Sequence, residues 1–524
     1  MYLTQGLKRS AQIKRDATST CILGPDGQER RRTWSETKAR VAKLAGAMQS
    51  LGLETGDRAA ILALNSDRYF EFFYGTSWAG GVFVPVNIRL APPEVEHWMN
   101  DSEAKILFID AMFAPMLKAL EGKLPHVEHI VYLGDDDVPA GMHGFEAILE
   151  AAEPVADAER GYEDLAGLFY TGGTTGRSKG VMLSHRNLVF NAFNTIALLQ
   201  YEADARYLHA PPMFHIADCV AVFGITQLGL EHYFIPAFNP QVTLEAIQQW
   251  QITDTLLVPT MVNMMVNFPG VETYDLSSFR HLAYGASPMP EAVILRAMDV
   301  MPNVKFYHAY GQTECAPITS INCPESHAFE GPFAYKFRSP GKAAPGVEVE
   351  IHDENDVEVP RGEVGEICVR GANVMQGYWR QPELTAETLR GGWMHSGDGG
   401  YMDDDGYIYV VDRVKDMIIS GGENIYSAEV ESAVQMFPAV AECAVIGVPD
   451  EKWGERVHAI IRLKEGESTT EEQIIEHSRT QIAGFKCPRS VAFVTEPLPL
   501  SGAGKILKTD LRKPYWEGKG KGVN

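Results

Sequence analysis

The segment "WSETKARVAKLAGAMQSLGL" (Trp34–Leu53), followed four residues later by "RAAILAL" (Arg58–Leu64), carries the pattern that decides the fold class. In the first segment apolar residues return every three or four positions, which is typical of a helix with one buried face. The second segment is a short β-rich run of the kind that forms a buried strand. This alternation predicts an α/β fold with layers of helices and largely parallel strands.

The same alternation recurs along most of the chain. Further strands are predicted at "KILFID" from Lys105, "HIVYLG" from His129, "DTLLVP" from Asp254, "RHLAYGAS" from Arg280 and "KFYHAYG" from Lys305. From about residue 341, short strands divided by Gly and Asp turns predict a β-rich subdomain. Beyond residue 412 a new series of strands and helices begins. Because 524 residues are too many for one ordinary core, we expect a separate C-terminal domain there.

Composition restricts the class of protein and its partners. Hydrophobic residues make up 45% of the chain and charged residues 22%, as in ordinary globular proteins. A net charge of -23 repels nucleic acid and anionic membranes, so we expect no nucleic-acid partner and at most a peripheral membrane contact. The seven cysteines are scattered without a CxxC pair, which predicts a reduced compartment and neither a disulfide framework nor a zinc site.

Neither a secretory signal nor a membrane span is predicted. The first twenty residues are polar and lack an apolar h-region. The two longest uncharged stretches, 72–88 and 255–271, are interrupted by Gly and Pro. They are therefore predicted to form helix, turn and buried strand inside a core. These features together predict a cytoplasmic protein.

The loop "YTGGTTGRSKG" (Tyr170–Gly180) combines glycines and threonines with an Arg and a Lys. A flexible turn needs a glycine or two, but not adjacent hydroxyls and cations. A Walker A loop needs Gly directly before Lys and Ser or Thr after it, whereas here Ser178 precedes Lys179 and Gly180 follows. The remaining interpretation is a loop whose backbone amides and hydroxyls wrap a polyphosphate, with Lys179 adding positive charge.

Six motifs in a fixed order extend this interpretation to the whole chain. They are "YTGGTTGRSKGVMLSH", "MFHIAD", "YGASPMP", "YHAYGQTE", "HSGDGGYMDDDGYIYVVDRVKDMIISGGENIYSAEVE" and "PLPLSGAGKILKTDLR". In order and spacing they resemble the acyl- and aryl-CoA synthetases of the adenylate-forming superfamily, which also holds firefly luciferase and peptide-synthetase adenylation domains. The resemblance implies a large N-terminal α/β domain of stacked sheets (1–412, with the β-rich subdomain at about 341–412), a hinge (413–416) and a small mobile α+β C-terminal domain (417–524).

Three positions depart from the family's pattern. Gly172 replaces the usual Ser of the glycine loop, Ser178 replaces the usual Pro, and Gly399 replaces an apolar residue. The change at 172 removes a hydroxyl that would face phosphate but leaves a backbone amide. We therefore expect an altered ATP affinity rather than loss of function.

The resemblance implies a site for ATP and Mg²⁺. The residues that would hold the β- and γ-phosphates are Thr171, Gly172, Gly173, Thr174, Thr175, Gly176 and Lys179. Thr313 would hydrogen-bond the α-phosphate, while Glu314 and Thr174 would coordinate Mg²⁺. The residues that would hold the adenosine are Gly285, Ala286, Ser287, Tyr310, Gly311, Gln312, Asp398 and Arg413. Among these, Asp398 would accept both ribose hydroxyls and Tyr310 would stack on adenine.

The resemblance also implies the residues that act on the acyl group and the thiol. Lys505 would be the catalytic lysine that stabilises charge on the α-phosphate during adenylation. Lys415 would be the hinge about which the C-terminal domain swings between two half-reactions. Gly421 and Gly422, which have no side chain, would let the pantetheine arm of CoA pass close to the backbone. His215 would flank the acyl carboxylate and open the thiol tunnel.

The acyl pocket is expected near residues 190–198, 214–223, 260–264 and 311–316. The residues named for it are His215, Asp218, Met261 and Cys315, with Phe190 and Phe193 adding apolar surface. Asp218 would either meet a polar group of the substrate or bond a backbone amide, and we favour the amide. An apolar pocket fits medium or long fatty acids first and phenylpropanoid acids such as ferulate or coumarate second.

The resulting hypothesis is an AMP-forming acid:CoA ligase that uses ATP, Mg²⁺ and CoA and activates a small carboxylic acid, with a homodimer as one conceivable assembly. Three alternatives stay open. The acyl group could be loaded onto a carrier protein, the adenylate could be oxidised as in luciferase, or the fold could serve binding without catalysis. The presence of Lys505, Glu314 and Asp398 argues against the last.

Overall fold

The computed structural model describes residues 1–24, 27–171, 178–287, 289–328, 330–334, 336–413, 416–420, 423–450, 452–500 and 506–517; at 413, 423 and 424 it describes the backbone alone. The strands of this part of the chain form four sheets, with helices between and outside them. The predicted fold class is confirmed: two stacked α/β sheets and a β-rich subdomain precede a smaller α+β region.

Two large sheets form the body of the N-terminal region. The described strands of the first run in the order Lys342–Ala343, Ile318–Asn322, Lys305–Gly311, His281–Gly285, Asp254–Leu257, Arg206–His209, Glu231–Phe234, Thr18–Leu23 and Glu29–Thr33. Those of the second run in the order Gly377–Tyr378, Lys179–Ser184, Leu165–Thr171, Val82–Pro85, Arg58–Leu62, Ala104–Ile109, His129–Tyr132 and His143–Gly144. Among these strands the antiparallel pairs lie at the sheet ends, so the prediction of largely parallel strands is confirmed.

Two smaller sheets follow along the chain. The β-rich subdomain is an antiparallel sheet of the described strands Val347–His352, Gly365–Gly371, Met394–Met402 and Ile408–Arg413. The C-terminal sheet runs Glu423–Ile425, Ile418–Ser420, Gly454–Leu463 and Val440–Asp450, with Ser490–Val494 beside Gly454–Leu463. The exact boundary at 412 and the hinge at 413–416 stay predictions.

The helix predicted from Trp34 is present as Trp34–Ser50. In the described residues the α-helices are Thr4–Ile13, Trp34–Ser50, Asp67–Ala79, Pro92–Ser102, Leu117–Leu120, Phe145–Ala151, His185–Leu199, Ile216–Leu228, Pro240–Trp250, Pro259–Val266, Glu291–Val300, Pro382–Thr388, Ser427–Gln435, Glu471–Gln481 and Lys508–Trp516. The 3₁₀ helices are Ala114–Met116, Val271–Thr273, Thr313–Cys315, Pro324–Ser326, Lys336–Arg338 and Arg390–Gly392. The two long uncharged stretches form strand, turn and helix as predicted.

Helix Trp34–Ser50 shows how the local sequence fixes an element. Thr33 stands before the first turn, and its Oγ1 accepts a hydrogen bond of 3.3 Å from the Glu36 backbone N–H. The Glu36 carboxylate accepts one of 2.7 Å from the Thr33 backbone N–H, which completes a capping box. Because the cap satisfies donors that the helix leaves unpaired, it stabilises the helix start by about 1 kcal/mol.

The main core lies between the two large sheets. Phe70 and Phe223, from helices Asp67–Ala79 and Ile216–Leu228, are fully buried there. They belong to one cluster with Phe234 of the first sheet and Phe83 of the second. Helices sandwiched in this way fix the two sheets relative to each other, so the strand ends that carry the site motifs are held by packing.

The C-terminal region is hydrogen-bonded to strand Ile408–Arg413, the last strand of the β-rich subdomain. The Asp412 carboxylate accepts hydrogen bonds from the Ser427 backbone N–H and from its hydroxyl, the latter at 2.6 Å. Lys508, on the last helix, contacts Ser427 Oγ at 2.5 Å and Glu431 at 2.8 Å. The carboxylate before the predicted hinge is thus bonded to the first helix after it.

We find no membrane-spanning candidate in the described ranges, since no helix there combines sufficient length with sufficient apolar character.

Candidate active site

The glycine loop is framed by a β-hairpin of the second large sheet. Its strands, Leu165–Thr171 and Lys179–Ser184, pair antiparallel, and Thr171 faces Lys179 across the pair. The loop residues Gly172, Gly173, Thr174, Thr175 and Gly176 lie outside the described residues. The two ends of the predicted phosphate loop are therefore held side by side at one sheet edge.

Tyr378 joins the loop lysine to the predicted Mg²⁺ ligand. Lys179 Nζ lies 4.5 Å from the centre of the Tyr378 ring, and the Tyr378 hydroxyl donates a 2.8 Å hydrogen bond to Glu314 Oε1. Burial, with Glu314 nearby, raises the pKa of Tyr378, so the hydroxyl remains a donor. Sequence reasoning missed Tyr378, because only the pairing of strand Gly377–Tyr378 with Lys179–Ser184 brings it here.

Glu314 and Thr313 sit on a short 3₁₀ turn directly after strand Lys305–Gly311. Gly311 has φ 156°, and a Cβ there would lie 1.8 Å from the Pro317 carbonyl oxygen, so only glycine fits. The Met375 backbone N–H donates a 2.8 Å bond to the Glu314 carbonyl. Glu314 Oε2 accepts no hydrogen bond from the described residues, which leaves one oxygen for a hard cation such as Mg²⁺.

A buried asparagine anchors the far side of this turn. The Asn191 side-chain amide donates to the Cys315 and Ile318 carbonyls at 3.2 and 3.0 Å, and its oxygen accepts from the Ile318 N–H at 3.2 Å. Asn191 is fully buried in helix His185–Leu199. Asn191 and Met375 therefore hold the turn that carries Glu314 from two sides. Sequence reasoning missed Asn191, because it belongs to none of the six motifs.

The predicted adenosine residues gather at the carboxyl ends of two parallel strands. Gly285 pairs with Ala309, and a Cβ at Gly285 would lie 2.2 Å from the Ala309 carbonyl oxygen. Ala286 has φ 68°, and Ser287 beside it is half-buried. Carboxyl ends of parallel strands are where open α/β sheets bind ligands.

Tyr310 and Asp398 close the site from the subdomain side. The Tyr310 hydroxyl donates a 2.7 Å hydrogen bond to Asp398 Oδ2, and burial followed by the Asp398 charge raises the pKa of Tyr310 well above its usual range. Asp398 pairs with Arg413 across strands Met394–Met402 and Ile408–Arg413. Gln312 Nε2 contacts Met394 Sδ at 3.3 Å, so strand Met394–Met402 adjoins this strand end at a second point.

His215 and Asp218 begin helix Ile216–Leu228, but they have different partners. His215 Nδ1 accepts a 3.3 Å bond from the Ala217 N–H, so this residue caps the helix and is half-buried. Asp218 is fully buried, and its Oδ2 lies 2.8 Å from His209 Nδ1. The favoured bond from Asp218 to a backbone amide is therefore corrected to a bond with an imidazole. Burial raises the pKa of Asp218.

The residues predicted to line the acyl pocket do not all lie together. Cys315 is buried in the cluster that the half-buried Phe190 joins, whereas Met261 packs against a separate cluster. Phe193 is 45% exposed and lines a surface groove with Gln227, so its assignment to the pocket is wrong. Phe193 was assigned to the pocket because it lies in the segment 190–198, but the sequence does not give the direction of its side chain.

Four further predicted residues cannot be placed, because Lys415, Gly421, Gly422 and Lys505 lie outside the described residues. Arg413 is placed by its backbone alone, opposite Asp398.

Comparison with known proteins decides the family. The model of the AMP-binding enzyme family matches residues 7–379, and that of the AMP-binding enzyme C-terminal domain matches residues 429–505. The chain belongs to the AMP-binding enzyme family. This AMP-binding enzyme is an AMP-forming acid-CoA ligase, and ATP, Mg²⁺ and CoA are characteristic of its family.

Several relatives cover nearly the whole of this AMP-binding enzyme. A feruloyl-CoA synthase of Amycolatopsis sp is 40% identical over 486 residues, 92% of this chain and 94% of that protein. The long-chain-fatty-acid-CoA ligase FadD13 of Mycobacterium tuberculosis is 34% identical over 487 residues, 93% of each chain. The crystal structure of the anthranilate CoA ligase AuaEII with anthranoyl-AMP aligns with a TM-score of 0.89 at 27% identity, covering 98% of this chain and 97% of that chain.

Proposed function

We propose that the residues gathered at the strand ends bind Mg·ATP in the following way. Thr171 and Lys179 hold the β- and γ-phosphates together with the glycine loop, and Thr313 bonds the α-phosphate. Asp398 accepts the ribose hydroxyls beside Tyr310. Glu314 holds Mg²⁺, which when bound neutralises phosphate charge. Two observations support this proposal. Strands His281–Gly285 and Lys305–Gly311 end side by side, and Glu314 Oε2 accepts no hydrogen bond from the described residues.

Two steps then complete the reaction. A carboxylate oxygen of the acid attacks the α-phosphorus, the bond to the β-phosphate bridging oxygen breaks, and pyrophosphate leaves. The CoA sulfur then attacks the carbonyl carbon of the acyl-adenylate, AMP leaves and the thiol proton passes to solvent. The mixed anhydride replaces a carboxylate, which is a poor electrophile, with an activated carbonyl. Lys505, presented by the C-terminal domain, stabilises charge in the first step.

For the acid, the proposed substrate is an aromatic acid that carries a polar ring substituent, with the fatty acid as the second candidate. Tyr201 is the observation that carries this choice. It keeps an accessible surface, although burial and the charges of Asp254 and Asp218 raise its pKa well above its usual range. Tyr201 packs against the cluster that contains Cys315 and that Phe190 joins, two residues predicted to line the acyl pocket.

The neighbours of Tyr201 support a polar end to that pocket. Leu256 and Ala309, from central strands of the first sheet, also keep accessible surface and belong to the same cluster. The Tyr201 ring centre lies 6.3 Å from that of Tyr207, which pairs in register with Asp254. A phenol or amine on an aromatic ring can hydrogen-bond the Tyr201 hydroxyl, whereas an alkyl tail offers that hydroxyl no partner. The names of the feruloyl-CoA synthase and anthranilate CoA ligase relatives agree with this choice.

The test compares acids that differ in one group. Thioester formation is measured with ferulate, 4-coumarate, cinnamate, octanoate and palmitate. We expect kcat/KM for 4-coumarate to exceed that for cinnamate, which lacks the ring hydroxyl, by about tenfold. Tyr201→Phe should remove this difference, while Tyr69→Phe, at a tyrosine buried in the main core, should keep it. Higher kcat/KM for palmitate or octanoate would favour the fatty acid instead.

A further inference from the structure

The β-rich sheet brings a cysteine and two histidines together on adjacent strands. Cys368 pairs with His395 on one neighbouring strand and with Glu350 on the other. His352 follows Glu350 by two residues. Because alternate residues of a strand share a face, all four side chains project from the same face of the sheet.

The side chains of this cluster are close enough to share one ion. The ligand atoms of His352, Cys368 and His395 all lie within 4.8 Å of one another, and Cys368 Sγ is 3.4 Å from His395 Nδ1. All three residues are buried, with exposed fractions of 4%, 0% and 7%. Zinc binds nitrogen and sulfur at about 2.0 to 2.3 Å in a tetrahedron, which separates neighbouring ligands by roughly 3.5 Å.

One nitrogen of the cluster lacks a partner. His352 Nδ1 is buried and forms no hydrogen bond with the described residues, while its Nε2 lies 2.8 Å from Glu350 Oε2. A carboxylate on the outer nitrogen is the usual means of orienting a histidine toward a metal. Leaving a buried acceptor unpaired is unfavourable, and a bound ion would satisfy it.

We propose that His352, Cys368 and His395 bind Zn²⁺, with Glu366 beside the cluster. Glu366 Oε2 lies 2.9 Å from His395 Nδ1, and Glu366 Oε1 accepts a 2.8 Å hydrogen bond from the Gly397 N–H, which orients the carboxylate. Two imidazoles and a thiolate form a ligand set that suits Zn²⁺. The ion would link the three strands that carry its ligands.

Binding changes the protonation of the ligands in a defined way. When the sulfur–zinc bond forms, the S–H bond breaks and its proton goes to solvent. His395, bound through Nδ1, keeps its proton on Nε2, which lies 3.8 Å from Asp356 Oδ1.

The experiment measures the metal directly. Untagged protein is stripped with a chelator, dialysed against Zn²⁺ or Co²⁺, desalted and analysed for metal content and absorption. We expect about one equivalent of metal per chain and, with Co²⁺, a thiolate-to-metal charge-transfer band in the near ultraviolet. Cys368→Ala should lose the band and the metal, while Cys443→Ala, at a buried cysteine of the C-terminal core, should keep both.

A second measurement keeps the proposal testable if Cys368→Ala fails to fold. Zn²⁺ added to the metal-free wild-type protein in weak buffer should release about one proton per ion bound and raise the unfolding temperature. Absence of uptake by the wild-type protein, or a cobalt complex without a thiolate band, would overturn the assignment. Equal uptake by the Cys368→Ala variant would overturn it as well.

Discussion

Tyr310 donates a hydrogen bond of 2.7 Å to Asp398, and this contact joins a strand end of the first large sheet to the β-rich subdomain. The two residues belong to motifs nearly ninety positions apart, and both are predicted to hold the nucleoside. The bond orients the Asp398 carboxylate before a nucleotide binds. Less side-chain entropy is therefore lost when the nucleotide binds.

Asp398→Asn should raise KM for ATP roughly tenfold to a hundredfold, because a charge-assisted pair of hydrogen bonds to ribose is weakened. Steady-state kinetics with ATP and with an analogue lacking the ribose hydroxyls check this. Replacing ATP by the analogue should raise KM strongly for the wild type and little for the variant, because the analogue and the substitution remove the same interaction. The exposed Asp405→Asn serves as control. If the analogue raised KM by the same factor in the variant as in the wild type, Asp398 would not bind the ribose hydroxyls.

Tyr378→Phe should increase the Mg²⁺ concentration needed for half-maximal pyrophosphate release by about fivefold to tenfold. The hydroxyl that orients Glu314 is lost, at a cost of about 1 kcal/mol. A Mg²⁺ titration at fixed ATP measures the effect. Tyr401→Phe, at a ring stacked on the subdomain sheet, should leave the titration unchanged. A lower rate with an unaltered Mg²⁺ midpoint would mean that Tyr378 acts only in packing.

Lys505→Ala should slow adenylation by a factor on the order of 10² to 10³, because a cation aimed at the α-phosphate is removed. Thioester formation from preformed acyl-adenylate should stay largely intact. Single-turnover measurements of the two half-reactions separate these effects, with Lys513→Ala on the last helix as control. Equal damage to both half-reactions would contradict a lysine that serves only the first.

His185 should make the protein sensitive to acid. Burial lowers the pKa of His185 to about 4 from 6.5, and its Nδ1 accepts a bond from the Leu3 N–H. The unfolded chain takes up the proton near pH 6.5 and the native state only near pH 4. The stabilising contribution of neutral His185 is therefore complete above pH 6.5 and lost as the pH falls toward 4.

Urea denaturation at pH 7 and pH 4.5 tests this expectation. In His185→Gln the loss of unfolding free energy between the two values should shrink, by at most about 3 kcal/mol. His126→Gln, at an exposed histidine, should lose as much unfolding free energy between the two pH values as the wild type. If the His185→Gln variant lost as much unfolding free energy as the wild type, groups other than His185 would account for the destabilisation by acid.

Local periodicity was enough to predict the strands and the helix that begins at Trp34, because side-chain spacing along the chain reflects which face is buried. The nucleotide motifs were recognisable for a similar reason, since each is a continuous segment at a strand end. Tyr378 was missed because its position depends on pairing with a strand nearly two hundred residues earlier.

The same limit explains the errors about side-chain direction. Asp218 and Phe193 both lie near the predicted pocket in sequence, but one points to His209 in the interior and the other to the surface. Strand pairing also places Cys368 opposite His395, a contact that the spacing of cysteines along the chain does not contain. Cross-strand register is a tertiary property, and no single segment contains it.

The bonds between Asp412 and Ser427 bear on the kinetics of the catalytic cycle. If the chain turns at 413–416, the carboxylate stays with the large domain and Ser427 moves away, so both hydrogen bonds must open on every swing. Opening this contact then adds to the activation barrier of the swing that leaves this conformation. Cooling would accordingly slow the half-reaction that follows that swing.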